Sequence, residues 1–210
     1  MDNLDQKVYS KELIEFTAVA NEYCSFVESS APYNGVQILT FMQRLLPLLY
    51  SKALSLPEFE SIIDEGQEKI VKEDDWQAVH DNIIVKLGEV NDYMEAADDD
   101  LEYGEELLSS SISENLADIY QDLKDFLVAY SIGTVELMNQ AIWTCLDSFN
   151  HYWGQKLVNS LRAIHIALKS PDKIGPLQEG KASDNDDIDT SDWIISKRQS
   201  QEREERDEEI

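Results

Sequence analysis

His151 follows Asp147 by four residues, a spacing that puts both side chains on one helix face and lets a carboxylate pair with an imidazole. Asn150, Trp153, Lys156, Arg162 and His165 lie in the same stretch. One reading is a polar pocket at the end of a helical bundle, with His151 as an acid/base group, because imidazole changes charge near neutral pH. The favoured reading is a buried, hydrogen-bonded network that fixes helix register. A metal shared by the two histidines is excluded. His151 and His165 are two heptads apart, hence about 21 Å apart along a helix.

A second set is the acidic row Glu114, Asp118, Asp122 and Asp125, with Asp98, Asp99 and Asp100 upstream. Oxygen-rich sites suit Mg²⁺, Mn²⁺ or Ca²⁺. The Ca²⁺-loop template nevertheless fails from Asp98, with Tyr103 where it needs glycine and Ser109 where it needs glutamate. No Glu-x-x-His pair exists for a di-iron bundle. The expectation is a solvated acidic face, with no metal and no cofactor. A third candidate is Trp193, Ile194 and Ile195, an apolar cluster in polar surroundings. It reads as a linear motif for a partner groove, or as a segment that docks on its own bundle. No His-Glu-x-x-His, Gly-x-Ser-x-Gly, P-loop, Gly-x-Gly-x-x-Gly or Cys-x-x-Cys occurs.

These groups sit in a very acidic chain. Seventeen Lys+Arg stand against 43 Asp+Glu, a net charge of -26 on 210 residues. From Leu87 to Leu123 there is no Lys, Arg or His, while twelve residues are acidic. Such a field repels nucleic-acid phosphates and anionic membranes and attracts basic partners. Phe126 to Pro171 is the least acidic part, with Glu136 and Asp147 against Lys156, Arg162 and Lys169. Its bases are expected to neutralise the acidic helix before it. Cys24 and Cys145 lie in apolar patterns and read as buried thiols of a reducing compartment. No signal-type start and no run of eighteen apolar residues is present, so the expected location is the cytoplasm.

The elements that must carry these residues are helices. Leu13, Ile14, Val19, Tyr23, Phe26 and Val27 repeat at helical spacing after a capping Ser10. A second helix runs from Val36 to Tyr50, with a kink or break expected at Pro47. A third starts near Asp74 and stops at Gly88. Residues 58 to 72 are ambiguous, and residues 89 to 110 read as a surface loop holding at most a short helix. Ser111 and Glu114 match a capping box for a helix ending at Gly133. Thr134 opens the longest helix, to Lys169, with Gly154 as a bend or a close approach. The expectation is an all-α single bundle of four to six helices over 1–170, followed by an acidic, mostly disordered tail over 171–210.

Three blocks resemble one bacterial family. They are Trp76-Gln-Ala-Val-His-Asp-Asn-Ile-Ile with Leu87-Gly88 and Asp92-Tyr93; Leu116-Ala-Asp-Ile-Tyr-Gln-Asp-Leu-Lys124; and His151-Tyr-Trp-Gly-Gln-Lys-Leu-Val-Asn-Ser-Leu-Arg-Ala-Ile-His165. Together they look like the domain of unknown function 5063 family, small soluble helical proteins, over about Glu12 to Lys169. The resemblance implies a single helical domain and no catalytic residue. The functional expectation is a non-enzymatic adaptor that binds a protein with a basic surface. Its alternatives are a sensor or enzyme with a pocket around His151 and, behind that, a nucleic-acid mimic.

Overall fold

The computed structural model describes residues 2–62, 69–96 and 107–175. The chain divides into two units, Met1–Leu177 and Gln178–Ile210, and the described residues all belong to the first. Asp98, Asp99, Asp100 and the expected tail motif Trp193, Ile194 and Ile195 lie outside the described residues.

Seven helices and one small ribbon make up the described part. They are α1 Asp2–Val8, α2 Lys11–Glu28, α3 Gly35–Leu54, α4 Glu73–Leu87, β1 Asp92–Ala96, β2 Leu107–Ser111, α5 Ile112–Ser131, α6 Val135–Ser148 and α7 Gly154–Ala167. The expected caps Ser10 and Ser111 are made, and Asn34 adds a third, while Thr134 precedes α6 without a side-chain capping bond. Ser10 accepts from the Leu13 amide at 3.4 Å, Ser111 from the Glu114 amide at 3.3 Å, and Asn34 forms a reciprocal box with Gln37. Gly88 and Gly133 end α4 and the α5 turn with φ of 58° and 83°, a region that disfavours side chains.

α5 is the central element and packs against α2, α4, α6 and α7. Its Leu116, Ile119, Leu123 and Phe126 meet Phe16 and Tyr23 of α2 in a core almost closed to solvent. Burying each such side chain contributes about 1.5–3 kcal/mol. The Tyr23 hydroxyl, buried in this contact, donates to the Leu116 carbonyl at 2.8 Å. Both cysteines are free and buried.

Three expectations are corrected. Of the two outcomes expected at Pro47, a division into two helices does not occur, since α3 runs on to Leu54. Pro47 is on the exposed side, and the buried face of α3, with Leu45, Leu46 and Leu49 around it, holds the helix together despite the lost backbone bond. The stretch 89–110 is not simply a loop, because β1 and β2 pair antiparallel with Asp92 opposite Ser111 and Glu95 opposite Leu108. Its period-two alternation is real but carried by polar groups. Tyr93 and Glu95 face the helices, while Asp92 and Met94 face out. The long final helix is continuous from Val135 to Ala167 but contains a π-helical turn over Phe149–Trp153.

After α7 the chain returns onto the bundle rather than leaving it at residue 171. Ile174 is buried, and the Gly175 amide donates to the Leu87 carbonyl at 2.9 Å. Gly35 and Gly175 both press on the Lys86 carbonyl so closely that a Cβ at either would overlap it.

Candidate functional site

α4 and α5 run antiparallel, and the π turn before α7 lies across α5. This arrangement collects Trp76, Asn115, Asp118, Tyr152 and Lys156. The π turn needs Gly154, since a Cβ there would fall 2.3 Å from the Phe149 carbonyl oxygen and 3.0 Å from its ring. Within the turn, neighbouring side chains go opposite ways. Trp153 is fully buried and donates to the Cys145 carbonyl at 3.0 Å. Tyr152 points outward, 47 % exposed, and its hydroxyl donates to Asp118 at 2.8 Å.

Asp118 is the hub and is only 9 % exposed. One carboxylate oxygen accepts from the Trp76 indole at 2.8 Å; the other accepts from Tyr152 and from the Lys156 ammonium, each at 2.8 Å. Lys156 also donates to Asn115 at 3.2 Å and lies 4.9 Å over the Tyr152 ring. Burial, then the bond to anionic Asp118, pushes the Tyr152 phenol well up. The network continues into the ribbon. Asn115 donates to the Tyr93 hydroxyl at 2.6 Å and to Ser110 at 3.2 Å, and Glu95 accepts from Asn159 at 2.8 Å. Every polar group of Asn115 is thereby used, which makes this seam a rigid joint between ribbon and bundle.

The expected solvated row on α5 is therefore corrected. Of its members only Glu114 is exposed. Asp118 is neutralised by Lys156, as the charge balance of the two helices implied. Asp122 accepts from Ser148 at 2.7 Å, and burial raises its carboxyl despite that bond. Asp125 accepts from the amides of Ile70 and Val71 at 2.9 and 2.8 Å and holds the segment before α4. The row faces inward because α4 and its leading segment cover this side of α5. A single helix wheel shows polarity, but not which neighbour will cover it.

Seven exposed acids gather on α4 and beside it, while others such as Glu12, Glu58, Glu60, Glu136 and Asp147 are spread over the rest of the described surface. Glu73, Asp74, Asp75 and Asp81 line its outer side, followed by Glu89, Asp92 and Glu114. Among the described residues no Lys or Arg forms an ion pair with any of these seven. Asp75 accepts from the Lys72 amide, and Asp81 bonds His80 Nδ1 at 2.9 Å and accepts from Gln77 at 2.6 Å; the bond to His80, then that to Gln77, lowers its carboxyl.

The histidine set does not form a pocket. The His151 side chain is 75 % exposed, with Nδ1 2.8 Å from the Asp147 carbonyl and 3.4 Å from its carboxylate. Asn150 is also exposed. His165 faces solvent with Nδ1 3.3 Å from the Gln43 amide nitrogen, and Arg162 donates to the Met94 carbonyl at 3.5 Å. Only Lys156 of the polar residues in the set enters the network. A shallow cleft of about 240 Å³ lies elsewhere, lined by Tyr93, Ala163, Ile166 and Lys173 among others. Among the described residues no three His, Cys, Asp or Glu side chains are placed to hold a metal ion. No described helix is long and apolar enough to cross a membrane.

The sequence reading missed Trp76, Tyr152, Asn115 and Tyr93 as network members. The Tyr152–Lys156 spacing of four was the available signal, but Tyr152 fits the apolar stripe equally well.

The model of the domain of unknown function DUF5063 matches residues 7–170. Protein BF1032 from Bacteroides fragilis, a solved crystal structure, is 39 % identical; the alignment covers 76 % of this chain and 94 % of that one, with a TM-score of 0.67. No curated protein is significantly similar.

Proposed function

We propose, for a chain that belongs to the DUF5063 family, that it is a non-enzymatic interaction module binding a protein with a basic surface through the outer side of α4. The single observation behind this reading is the set of seven exposed carboxylates between Glu73 and Glu114 with no Lys or Arg paired to them among the described residues, His80 alone lying against one of them, 2.9 Å from Asp81. Carboxylates gathered on and beside one helix without Lys or Arg to neutralise them focus a negative potential, which steers a cationic partner and fixes its orientation. The described residues carry 22 acids against 12 bases, so the rest of the chain adds further negative charge to the same molecule. That charge strengthens long-range attraction without specifying a contact.

The test is affinity capture from the native host, at low and high ionic strength, with the chain and with a variant carrying Glu73→Gln, Asp74→Asn, Asp75→Asn and Asp81→Asn. The expected result is an identified basic protein whose affinity falls at least about tenfold in the variant and again in high salt. The three first-turn acids also favour the α4 dipole, so the variant must be shown to melt within a few degrees of the parent. Capture indifferent to both salt and the α4 charges would refute the reading.

A further inference from the structure

The cleft of about 240 Å³ lies between the ribbon and the last turns of α7. Its origin is in the sequence of α7. Ala163 and Ala167 stand about one helical turn apart, and two small side chains there leave a dent that Tyr93 of β1 and Ile166 wall. The chain then turns back over the end of α7 through Pro171–Lys173. The Lys173 amide donates to the Ser170 carbonyl at 3.0 Å, Ile174 is buried, and the Gly175 amide is tied to Leu87. That fixed turn brings Ser170 and Lys173 to the cleft lining, where Asp92 of β1 joins them.

We infer that this cleft binds a free α-amino acid with an aliphatic side chain, held by its two charges between Asp92 and Lys173. Charge selects the occupant. Asp92 and Lys173 line one small cleft with opposite sign, yet neither is in ion-pair contact with the other or with any other described residue. The Asp92 carboxylate accepts from the Asn91 side-chain amide at 2.9 Å and has acceptor sites to spare. A molecule with an ammonium and a carboxylate on one carbon answers both groups. The ammonium donates to Asp92, and the carboxylate accepts from Lys173 and the Ser170 hydroxyl. The rest of the lining is mostly apolar, and the Tyr93 hydroxyl is already engaged by Asn115. An aliphatic side chain therefore lies on Ala163 and Ala167 and covers Ile166, which is 53 % exposed. A peptide terminus carries only one of the two charges and leaves Asp92 or Lys173 unanswered.

The cleft is smaller than the roughly 300–1,000 Å³ of sites for drug-sized ligands, and suits a molecule of about ten non-hydrogen atoms. A shallow site and so small a ligand give weak binding, with a dissociation constant of about 0.1–1 mM. The inference goes beyond the proposed partner reading, since it needs no protein partner. Its charge ranking also runs against the field of the whole molecule. A net charge of -26 draws a simple cation ahead of a zwitterion, whereas the cleft ranks the zwitterion first.

The experiment is an NMR titration of the full chain with L-leucine, to about 10 mM in about 0.15 M salt. L-leucine amide, which lacks the carboxylate, and N-acetyl-L-leucine, which lacks the ammonium, are titrated beside it. The expected result is a saturable shift of amide signals over residues 90–93 and 163–173, with each analogue bound at least about fivefold more weakly than leucine. Lys173→Gln should abolish the preference for leucine over its amide, and Asp92→Asn the preference over the N-acetyl form. Both residues are exposed, and the analogue series on the unmodified chain needs no variant. The four α4 substitutions leave this titration unchanged, so either reading can fail alone. No saturable shift by about 10 mM, the amide bound as tightly as leucine, or shifts centred elsewhere would overturn the inference.

Discussion

Replacing Asp118 by Asn tests whether the acidic row of α5 works inward. The side chain keeps its shape and one oxygen, which can still accept from the Trp76 indole, now 2.8 Å away. The other oxygen becomes an NH₂ group facing two donors, the Tyr152 hydroxyl and the Lys156 ammonium. Tyr152 can rotate its hydrogen and accept; Lys156 cannot. The net loss is therefore one ion pair and one charge-assisted bond, in a site where Asp118 is 9 % exposed and Lys156 retains Asn115. A buried pair broken on one side costs about 3–5 kcal/mol and an exposed pair at most about 1 kcal/mol. This half-closed site falls between, at about 2 kcal/mol, which for a domain of this size lowers Tm by about 4–8 °C. Urea and thermal unfolding followed by circular dichroism measure it, with urea chosen because guanidinium would screen the charges. In a Lys156→Met background the same substitution should cost at least about 1 kcal/mol less, because the pair is already gone. A solvated acidic face predicts the reverse sign, since removing one charge from a chain of -26 relieves repulsion. A Tm for Asp118→Asn within 1 °C of the parent, or above it, refutes the reasoning.

Asp122→Asn should behave oppositely. Burial raises this carboxyl above its unfolded value, so its ionised form destabilises the fold at neutral pH, and that cost disappears as pH falls through the raised value towards the ordinary aspartate range. Asparagine still accepts from Ser148, so the variant should gain up to about 1 kcal/mol at pH 7 in urea unfolding and lose the advantage under acid; lower stability at pH 7 would count against it. Gly154→Ala drives a Cβ into the Phe149 carbonyl and should cost about 3 kcal/mol by thermal unfolding, and an unchanged Tm would show that the π turn is not required. Burial raises both thiols, Cys24 and Cys145, so neither should react with a disulfide reagent in the native state, and both should react after denaturation. Rapid native labelling of either would contradict their placement.

The helical fold was legible because its signals are local and agree. Ser10, Ser111 and Gly88 mark the ends, and the apolar residues between them repeat with the helical period and are found buried. The ribbon was not legible because Tyr93 and Glu95 are its inward residues, and a search for apolar alternation finds nothing there. The π turn was half legible. Gly154 announced an irregularity, but only its contact with Phe149, five residues back, identifies it. The site was legible in part. The bases of the last helix do neutralise the α5 acids, but through Lys156 alone, and His151 stays outside because the rod turns that edge to solvent. Which acids face out depends on α4 covering α5, a tertiary fact that a helix wheel does not contain.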